Sequence, residues 1–472
     1  MFFLCRYGAG LGNMSSKDLT IGKPLPVIWR FCLPLFGSIL FQQLYNIADS
    51  FVAGKFIGEE ALASVSNSYE ITLIFIAINT GLNIGCSVIV ASYFGAREYE
   101  RLKTSVWTTF ITGLTISAVL MILGLTLTPA LLRAIKTPEG YVFENSKLYM
   151  DIYIWGVPFL MLYNVSAGIF TALGDSKTTF IFLALSSTVN IFMDIFFVVV
   201  LNMGVSGVAW ATFICQGVSA ILSLIVIMKR LREVPSTPGA KTVYFSFPIL
   251  KNILKVAIPS MLQQSFVSVG NILVQSVINS FGAVVMAGYG AAIKIHNTLM
   301  NALKTFSDGI TSFSAQNLGA RKYRRIYEGW KSGFLLTMCF ALPISIIVLI
   351  FPNNILSIFL PKGPSMDEGR AFLRIVAPFY AVISIKWTTD GVLRGTRHMR
   401  RFMIATFADL ILRVGLAFLL PYEFGSTGIW LSWPLGWVVG TAISFMLAWG
   451  IMRDFNKRGN EALKVQSVGD EQ

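Results

Sequence analysis

Long apolar runs alternate with short polar segments along the whole chain. Many of the runs reach about 20 residues, the length that a helix needs to cross roughly 30 Å of hydrocarbon. The strict alternation of apolar and polar positions that marks a membrane β-barrel strand does not recur along the sequence. The pattern therefore predicts twelve membrane-spanning helices, near residues 26–54, 60–93, 102–130, 148–172, 178–201, 205–228, 249–280, 284–315, 332–356, 369–392, 401–420 and 425–451.

Two segments that lie half the chain apart have similar sequences. Residues 91–102 read ASYFGAREYERL, and residues 315–326 read AQNLGARKYRRI. The match continues at nearly the same offset through further pairs: Pro34 with Pro259, Gly58 with Gly282, Gly85 with Gly309, and Phe110 with Phe334. An internal duplication in an apolar chain is typical of transporters, because two similar halves can rock against each other around a shared cavity.

Each copy of the repeated motif follows the second helix of its half, so both copies are expected on one side of the membrane. Gly95 and Gly319 are expected to end these helices. The halves then run parallel, which implies a pseudo-twofold axis along the membrane normal. We predict an all-α integral membrane protein of two six-helix lobes, with an N lobe at 14–228, a cytoplasmic linker at 229–248, a C lobe at 249–455 and a cytoplasmic tail at 456–472.

The charge of the chain describes its topology. Hydrophobic residues make up 54% of the sequence, charged residues 13% and the formal net charge is +14, with a mean hydropathy of +0.66. The basic residues concentrate in alternate loops, as expected for loops that stay in the cytoplasm. This placement predicts cytoplasmic termini and a bacterial inner (cytoplasmic) membrane, and argues against nucleic-acid binding. The basic loops contain Arg97, Arg101, Lys103, Lys229, Arg230, Arg232, Arg321, Lys322, Arg324, Arg325, Arg394, Arg397, Arg400, Arg401, Arg453, Lys457 and Arg458.

The reactive side chains form no recognisable catalytic or metal-binding motif. The five cysteines are scattered, and neither His296 nor His398 has a cysteine or histidine neighbour in sequence. No phosphate-binding loop or nucleophile motif occurs in the basic loops. We therefore expect no enzyme activity and no cofactor. The first 13 residues are too short and disorganised for a signal peptide, and we expect translation to start at Met14.

Two carboxylates interrupt apolar spans in the first half. Asp49 lies in QQLYNIADSFVAGKF and Asp194 in STVNIFMDIFFVVV, and an ionisable residue inside a span costs about 2.5–3.5 kcal/mol. Asn190 precedes Asp194 by one helical turn and shares its face. Both acids fall toward the outer ends of their helices, so they can lie at one depth. Such a pair can share a proton or hold a sodium ion with nearby oxygens; alternatively, each acid is protonated and serves packing.

The second half carries different charges. Three pairs are spaced i,i+4, so each pair can either neutralise itself or line a cavity: Lys304 with Asp308, Lys386 with Asp390, and Asp409 with Arg413. Aromatic and methionine residues are abundant, and an apolar cavity with such walls accepts flat cations. The predicted residues of a substrate cavity are Phe41, Tyr45, Lys304, Asp308 and Trp387.

From about residue 25 to 452, the chain resembles the multidrug and toxic compound extrusion (MATE) family, especially its prokaryotic DinF-like and MepA-like members. The resemblance rests on LYNIADSFVAGKFIGEEALASVS, YNVSAGIFTALGDSK, VNIFMD, GVSGVAWAT and AQNLGARKYRRI. It implies a V-shaped pair of six-helix lobes that exports drugs against sodium or proton influx.

The resemblance also implies roles for individual residues. The family's cation site matches Asp49 and Asp194, with Asn190, Thr212, Tyr149 and Asn164 as its polar neighbours. If the ion is sodium, the implied ligands are Asp49, Asp194, Asn190 and Thr212. Pro34 resembles the first-helix proline associated with bending. The acids that some members use on the seventh and tenth helices have no clear match here.

The expected function is a cation-coupled antiporter that exports amphipathic, often cationic, drugs or toxic compounds by alternating access. Its expected partners are small-molecule substrates, a monovalent cation and the bilayer, and a monomer suffices because one chain supplies both halves of a cavity. A flippase or exporter for a lipid-linked or other endogenous metabolite is the nearest alternative. A membrane enzyme or a channel would need motifs or a pore loop that the sequence lacks.

Overall fold

A computed structural model describes residues 18–135, 137–235 and 243–469. The predicted start at Met14 lies outside the described residues, as do residues 236–242 of the predicted linker and 470–472 of the predicted tail. The described part contains twelve long helices: α1 (Pro24–Val52), α2 (Glu59–Gly95), α3 (Tyr99–Ala134), α4 (Tyr141–Ala172), α5 (Ser176–Ile195), α6 (Val205–Glu233), α7 (Phe247–Asn279), α8 (Ala283–Gly319), α9 (Tyr323–Ile350), α10 (Pro364–Gly395), α11 (Met399–Leu419) and α12 (Ser426–Gly469).

The prediction of an all-α membrane protein with twelve spans is confirmed. Among the described residues, ten of the helices are long and apolar enough to cross a membrane. The other two, α7 and α8, have 33 and 37 residues and are more polar. The connection between α6 and α7 is shorter than the predicted linker, and α12 continues through most of the predicted tail.

Three helices depart from regular α geometry. Pro34 lies inside α1, which continues through it, and Ser38 Oγ donates to the Pro34 carbonyl over 3.0 Å. α1 and α5 both end in single π-helical turns, Ala53–Ile57 and Phe196–Val200. A short 3₁₀ segment, Ala377–Phe379, interrupts α10. Because π turns concentrate at functional sites, the ends of α1 and α5 are of special interest.

The helices pack as two related lobes. Within the N lobe (α1–α6), α2 contacts α4, α4 contacts α6, and α1 contacts α5. The C lobe (α7–α12) repeats each contact, with α8 on α10, α10 on α12, and α7 on α11. Between the lobes, α2 packs on α7 as α8 packs on α1. We name the end of the bundle where α2 and α8 finish the basic end, and the opposite end the far end.

Glycines hold the lobes together near the basic end. The missing side chain of Gly95 leaves room for the backbone of Gln316, and that of Gly319 leaves room for the backbone of Ser92. Ser92 and Gln316 occupy the same position in the two copies of the repeated motif. Each copy therefore packs on its counterpart in the other lobe, and the pseudo-twofold axis passes between them.

A second glycine contact lies farther from the basic end. A side chain on Gly85 of α2 would collide with Ala257 of α7, at 2.8 Å, and one on Gly309 of α8 would collide with Cys32 of α1. Pro34 follows Cys32 by two residues, as Pro259 follows Ala257. Both prolines therefore lie beside the contact of their helix with the opposite lobe.

The segment before α1 joins both lobes at the basic end. The amide of Leu19 donates to Gln316 Oε1 over 3.0 Å, while Gln316 Nε2 donates to the Ala172 carbonyl over 2.7 Å. Arg325 Nη2 donates to the carbonyls of Leu19 at 3.1 Å and Ile21 at 2.9 Å. We call residues 18–23 the N-terminal clasp, because C-lobe side chains bind its backbone.

Toward the far end, polar side chains mark a cleft between the lobes. Four polar residues on one face of α8 are exposed, and Lys304 between them is half-buried; the five are Lys294, Asn297, Asn301, Lys304 and Asp308. Gln42 and Asn46 of α1 are exposed as well. Such a stripe on a membrane helix faces water, because lipid solvates polar groups poorly. The lobes are thus closed at the basic end and separated toward the far end.

Candidate cation site in the N lobe

The carboxyl groups of Asp49 and Asp194 are neighbours inside the N lobe. Asp49 lies in the last turn of α1, and Asp194 in the last turn of α5. Because α1 and α5 pack side by side and both end at the far end, the two acids reach one depth. Asp49 is 8% exposed and Asp194 is fully buried. The two side chains interact with each other electrostatically. Two adjacent buried carboxyl groups require a compensating proton or cation.

Four further polar side chains surround the acids. Tyr45, one turn before Asp49 on α1, lies beside Asp49 and Thr212. Tyr149 of α4 lies within electrostatic range of both acids. Asn190 shares a face of α5 with Asp194, and Thr212 lies two turns into α6. The cluster therefore draws on α1, α4, α5 and α6.

Several polar atoms of this cluster are buried without a hydrogen-bond partner. Within the described part of the chain these atoms are Asp49 Oδ1, both oxygens of Asp194, both amide atoms of Asn190, and Thr212 Oγ1. Buried polar atoms are rarely left unpaired in native proteins, so each one needs an explanation. A set of carboxylate, amide and hydroxyl oxygens suits a hard cation such as sodium, and the paired acids also suit a shared proton.

Apolar side chains cover the cluster on its far-end side. Val52 follows Asp49, Val198 follows Asp194, and Val208 precedes Thr212; all three are at most 5% exposed and belong to one apolar cluster with Tyr149. These valines lie between the two acids and the far end of the N lobe.

The sequence-predicted site residues divide into two groups. The structure brings together Asp49, Asp194, Asn190, Thr212 and Tyr149, with Tyr45, which was predicted for the substrate cavity. Asn164 lies elsewhere: it follows Tyr149 by fifteen positions on α4, about 22 Å along a helix axis. Its amide donates to the Leu160 carbonyl over 2.8 Å. A cation held by the two acids cannot reach Asn164, whatever role that residue has.

One residue of the cluster was missed by the sequence analysis. Cys215 of α6 lies beside Asn190 and within electrostatic range of Asp194, and its thiol contacts the sulfur of Met193 at 3.7 Å. Its position one turn after Thr212 was the available signal, because residues i and i+3 share a helix face.

Of the three C-lobe pairs spaced i,i+4, the structure joins one directly and gives the members of the other two pairs partners on neighbouring helices. Lys386 Nζ and Asp390 Oδ2 are paired at 2.8 Å, as predicted. Asp308 instead pairs with Arg394 of α10, at 3.1 Å. Asp409 lies 3.8 Å from Lys386, and Arg413 donates to Asn271 of α7 over 3.0 Å. Packing of α8 on α10 and of α10 and α7 on α11 brings these partners closer than the i,i+4 neighbours.

The remaining predicted cavity residues lie on separate helices. Phe41 packs edge-on against Phe180 of α5, with ring centroids 5.7 Å apart. Lys304 lies on the polar face of α8, where its ammonium group is 3.4 Å from Gln264 Oε1 of α7. Trp387 of α10 is half-buried, and its carbonyl accepts from Ser307 Oγ over 2.6 Å.

Comparisons with known proteins agree with this architecture. The MatE family profile matches residues 34–196 and 259–419, one segment in each lobe. The chain belongs to the MatE family. It is therefore a multi-pass membrane transporter, and the paired match agrees with the internal duplication.

Relatives of similar length support the assignment to MatE. The "Probable multidrug resistance protein YpnP" of Bacillus subtilis is 25% identical over 458 residues, covering 94% of this chain and 100% of that protein. The "Multidrug export protein MepA" of Staphylococcus haemolyticus is 20% identical, covering 91% and 93%. A "FAD transporter" of Shewanella oneidensis is 24% identical, covering 87% and 91%. A crystal structure of MATE in complex with MaL6 has a TM-score of 0.87 at 23% identity, covers 94% and 99%, and shows the shared fold.

Proposed function

We propose that this MatE protein exports amphipathic drugs or toxic compounds by cation-coupled antiport. The observation that carries the proposal is the buried pair Asp49 and Asp194 with its unpartnered oxygen neighbours. Coupling requires a site that binds a cation next to the space that holds the cargo. The two acids need a compensating cation, and they lie inside a lobe that borders the cleft. Relatives named as multidrug resistance and export proteins support the class of cargo.

The coupling ion is a proton or sodium. A proton is shared by Asp49 and Asp194; sodium takes oxygens from these acids, Asn190 and Thr212. Either ion lowers the negative charge of the buried site by one. The ion shifts the balance between two arrangements of the lobes by its difference in affinity for them. One charge that crosses 100 mV supplies about 2.3 kcal/mol.

The orientation follows from the positive-inside rule, which assigns the basic end to the cytoplasm of a bacterial cell. The cleft then opens outward, in the state that releases cargo and takes up the ion. α1 connects the two events, because it carries Asp49 at the far end and packs on the C lobe through Cys32, which lies against Gly309 of α8. Pro34 lies between these regions and permits α1 to bend.

One chain supplies the ion site and both walls of the cleft, so a monomer is sufficient. No catalytic chemistry and no cofactor beyond the coupling ion is required by this mechanism. The basic residues set the orientation of the chain in the membrane, and nucleic acid has no role in the mechanism.

The test is transport in liposomes under separate gradients of sodium and pH. We expect Asp49→Asn and Asp194→Asn to reduce ion-driven dye transport to the rate of protein-free liposomes, because an amide neither binds the proton nor compensates sodium. Asp151→Asn is the matched control, since Asp151 forms a partly exposed pair with Lys147 at 2.7 Å. Ion-driven transport at the native rate by both single variants contradicts the proposal.

The second candidate is export of an endogenous metabolite or a lipid-linked compound. The relative named as a FAD transporter favours it. In the same liposomes, transport of a flavin nucleotide in preference to cationic dyes would support this cargo, whereas the role of the two acids would be unchanged.

A further inference from the structure

The two walls of the cleft differ in charge. Behind its wall, the N lobe contains the buried acids Asp49 and Asp194. The C lobe contributes an exposed Lys294 near the far end of α8 and, deeper, the group formed by Lys304, Asp308 and Arg394. This contrast bears on which cargo the C-lobe wall binds.

The deeper group holds two cations and one carboxylate. Arg394 Nη2 binds Asp308 Oδ1 at 3.1 Å and Ser307 Oγ at 2.9 Å. The Arg394 side chain is 5% exposed, whereas that of Asp308 is 51% exposed. Lys304 donates to Gln264 Oε1, a neutral acceptor, over 3.4 Å. Among the described residues, no carboxylate lies within salt-bridge distance of Lys304, so its charge is left over.

Lys304 lies where an unneutralised charge is costly. It is near the middle of α8, whose 37 residues span about 55 Å. Gly309, the residue after Asp308, lies against Cys32 of α1, where the two lobes are in contact. Lys304 is therefore at the floor of the cleft, deep in the membrane, where a charged side chain is a functional residue by default.

The surroundings of Lys304 suit an anion that carries an apolar body. Asn301 precedes it by three residues on the same exposed face of α8 and adds amide donors. Trp387 of α10 is half-buried, and Ser307, which binds Arg394, also donates to the Trp387 carbonyl. Lys294 stands on the same face toward the far end, along the route between floor and mouth.

We propose that Lys304, with Asn301 and Gln264, binds the anionic group of an amphipathic cargo: a carboxylate, a sulfonate or a phosphate. The inference rests on the proposed export function, because it assigns a chemical class to the cargo of that cleft. An anion at Lys304 neutralises the leftover charge, while the acids of the N lobe remain free for the coupling ion.

The test measures dye binding to the purified full-length protein in lipid nanodiscs, with carboxyfluorescein as the anionic probe and ethidium as the cationic probe. Lys304→Gln is expected to weaken carboxyfluorescein binding by about tenfold or more, the effect of losing one hydrogen bond to a charged group. Lys304→Arg should restore it. Asp308→Asn should strengthen it, because a competing negative charge is removed. Lys251→Gln, on the exposed basic end of α7, is the control and should have no effect.

Each outcome of these binding measurements either supports or overturns the anion site at Lys304. Loss of carboxyfluorescein binding in Lys304→Gln with ethidium binding retained, and a gain in Asp308→Asn, support the site. Equal losses of both probes in Lys304→Gln, or unchanged carboxyfluorescein binding, overturn it. Dye binding does not depend on transport. If the anion site is present but the protein shows no ion-driven transport, the proposed export function is overturned and the anion site stands.

Discussion

Arg97, Arg321 and Arg397 have left-handed backbones, with φ of 58°, 56° and 62°. They follow the ends of α2, α8 and α10 in turns with the same three hydrogen bonds, and Gly174, with φ of 77°, occupies this place after α4. The sequence analysis assigned the ends of α2 and α8 to Gly95 and Gly319. Both glycines do end their helices, but close contact with the other lobe explains them, and the arginines bear the strain.

A left-handed arginine costs about 1 kcal/mol relative to glycine. We therefore expect Arg397→Gly to raise the thermal unfolding midpoint of the purified protein. Arg397→Ala also removes the charge but keeps the strained conformation, so it should give no increase. An equal rise in both variants would indicate that charge, and not backbone conformation, is responsible.

The individual residues of the candidate site were predictable from the sequence only in part. Asp49 and Asp194 were predicted at one depth because both precede the far ends of their helices, and the structure makes them neighbours. The partner of Asp308 was not predictable from spacing, because Arg394 reaches it from another helix. Asn164 was placed with the acids by resemblance, although the helix rise separates it from Tyr149.

Among the elements, α2 and α8 determine how the lobes meet. Their apolar runs predicted two spans, but both helices extend beyond the predicted limits, because hydropathy reports the hydrocarbon layer and a helix continues into water. α2 ends two residues and α8 four residues later than predicted, and the added residues include Gly95 and Gly319 of the repeated motif. Their crossing at Gly95 and Gly319 was invisible to hydropathy, since it depends on the absence of a side chain.

We expect Gly95→Ala to weaken this crossing. The added methyl group would collide with the Gln316 backbone, and overpacking of this kind costs about 1–3 kcal/mol. Thermal stability in detergent and ion-driven transport should both fall. Gly450→Ala is the control, because no atom lies within 4 Å of its added carbon. If the two variants were equally stable, the close contact of α2 with α8 would be wrong.

For the whole molecule, the N-terminal clasp favours closure at the basic end. In the proposed alternating-access mechanism this end opens, so the hydrogen bonds of Leu19 and Ile21 with C-lobe side chains would have to break in each cycle. Apolar patterning could not reveal the clasp, because residues 18–23 precede the first span and are bound through their backbone. The sequence predicted two lobes and their axis, but not the contacts that hold one end closed.

Arg325→Gln should shift the molecule toward the state that is open at the basic end, because it weakens two hydrogen bonds to the clasp backbone. Spin labels at Arg101→Cys and Lys331→Cys, in a background without other cysteines, report the distance between the lobes there. Longer distances should become more populated in the variant. Arg324→Gln is the control, since Arg324 pairs with Glu328 at 2.9 Å on the exposed surface. An unchanged distance distribution in Arg325→Gln would contradict a closing role.

The reciprocal contacts of Gly95 and Gly319 also bear on how this chain could have arisen from a duplicated ancestor. Each copy of the motif is the docking partner of its twin, so a mutation in one copy spoils the fit of the other. The acids Asp49 and Asp194 meet inside a single lobe and impose no such mutual constraint. The two halves were thus free to diverge in charge, whereas the two copies of the motif, which pack on each other, had to stay alike.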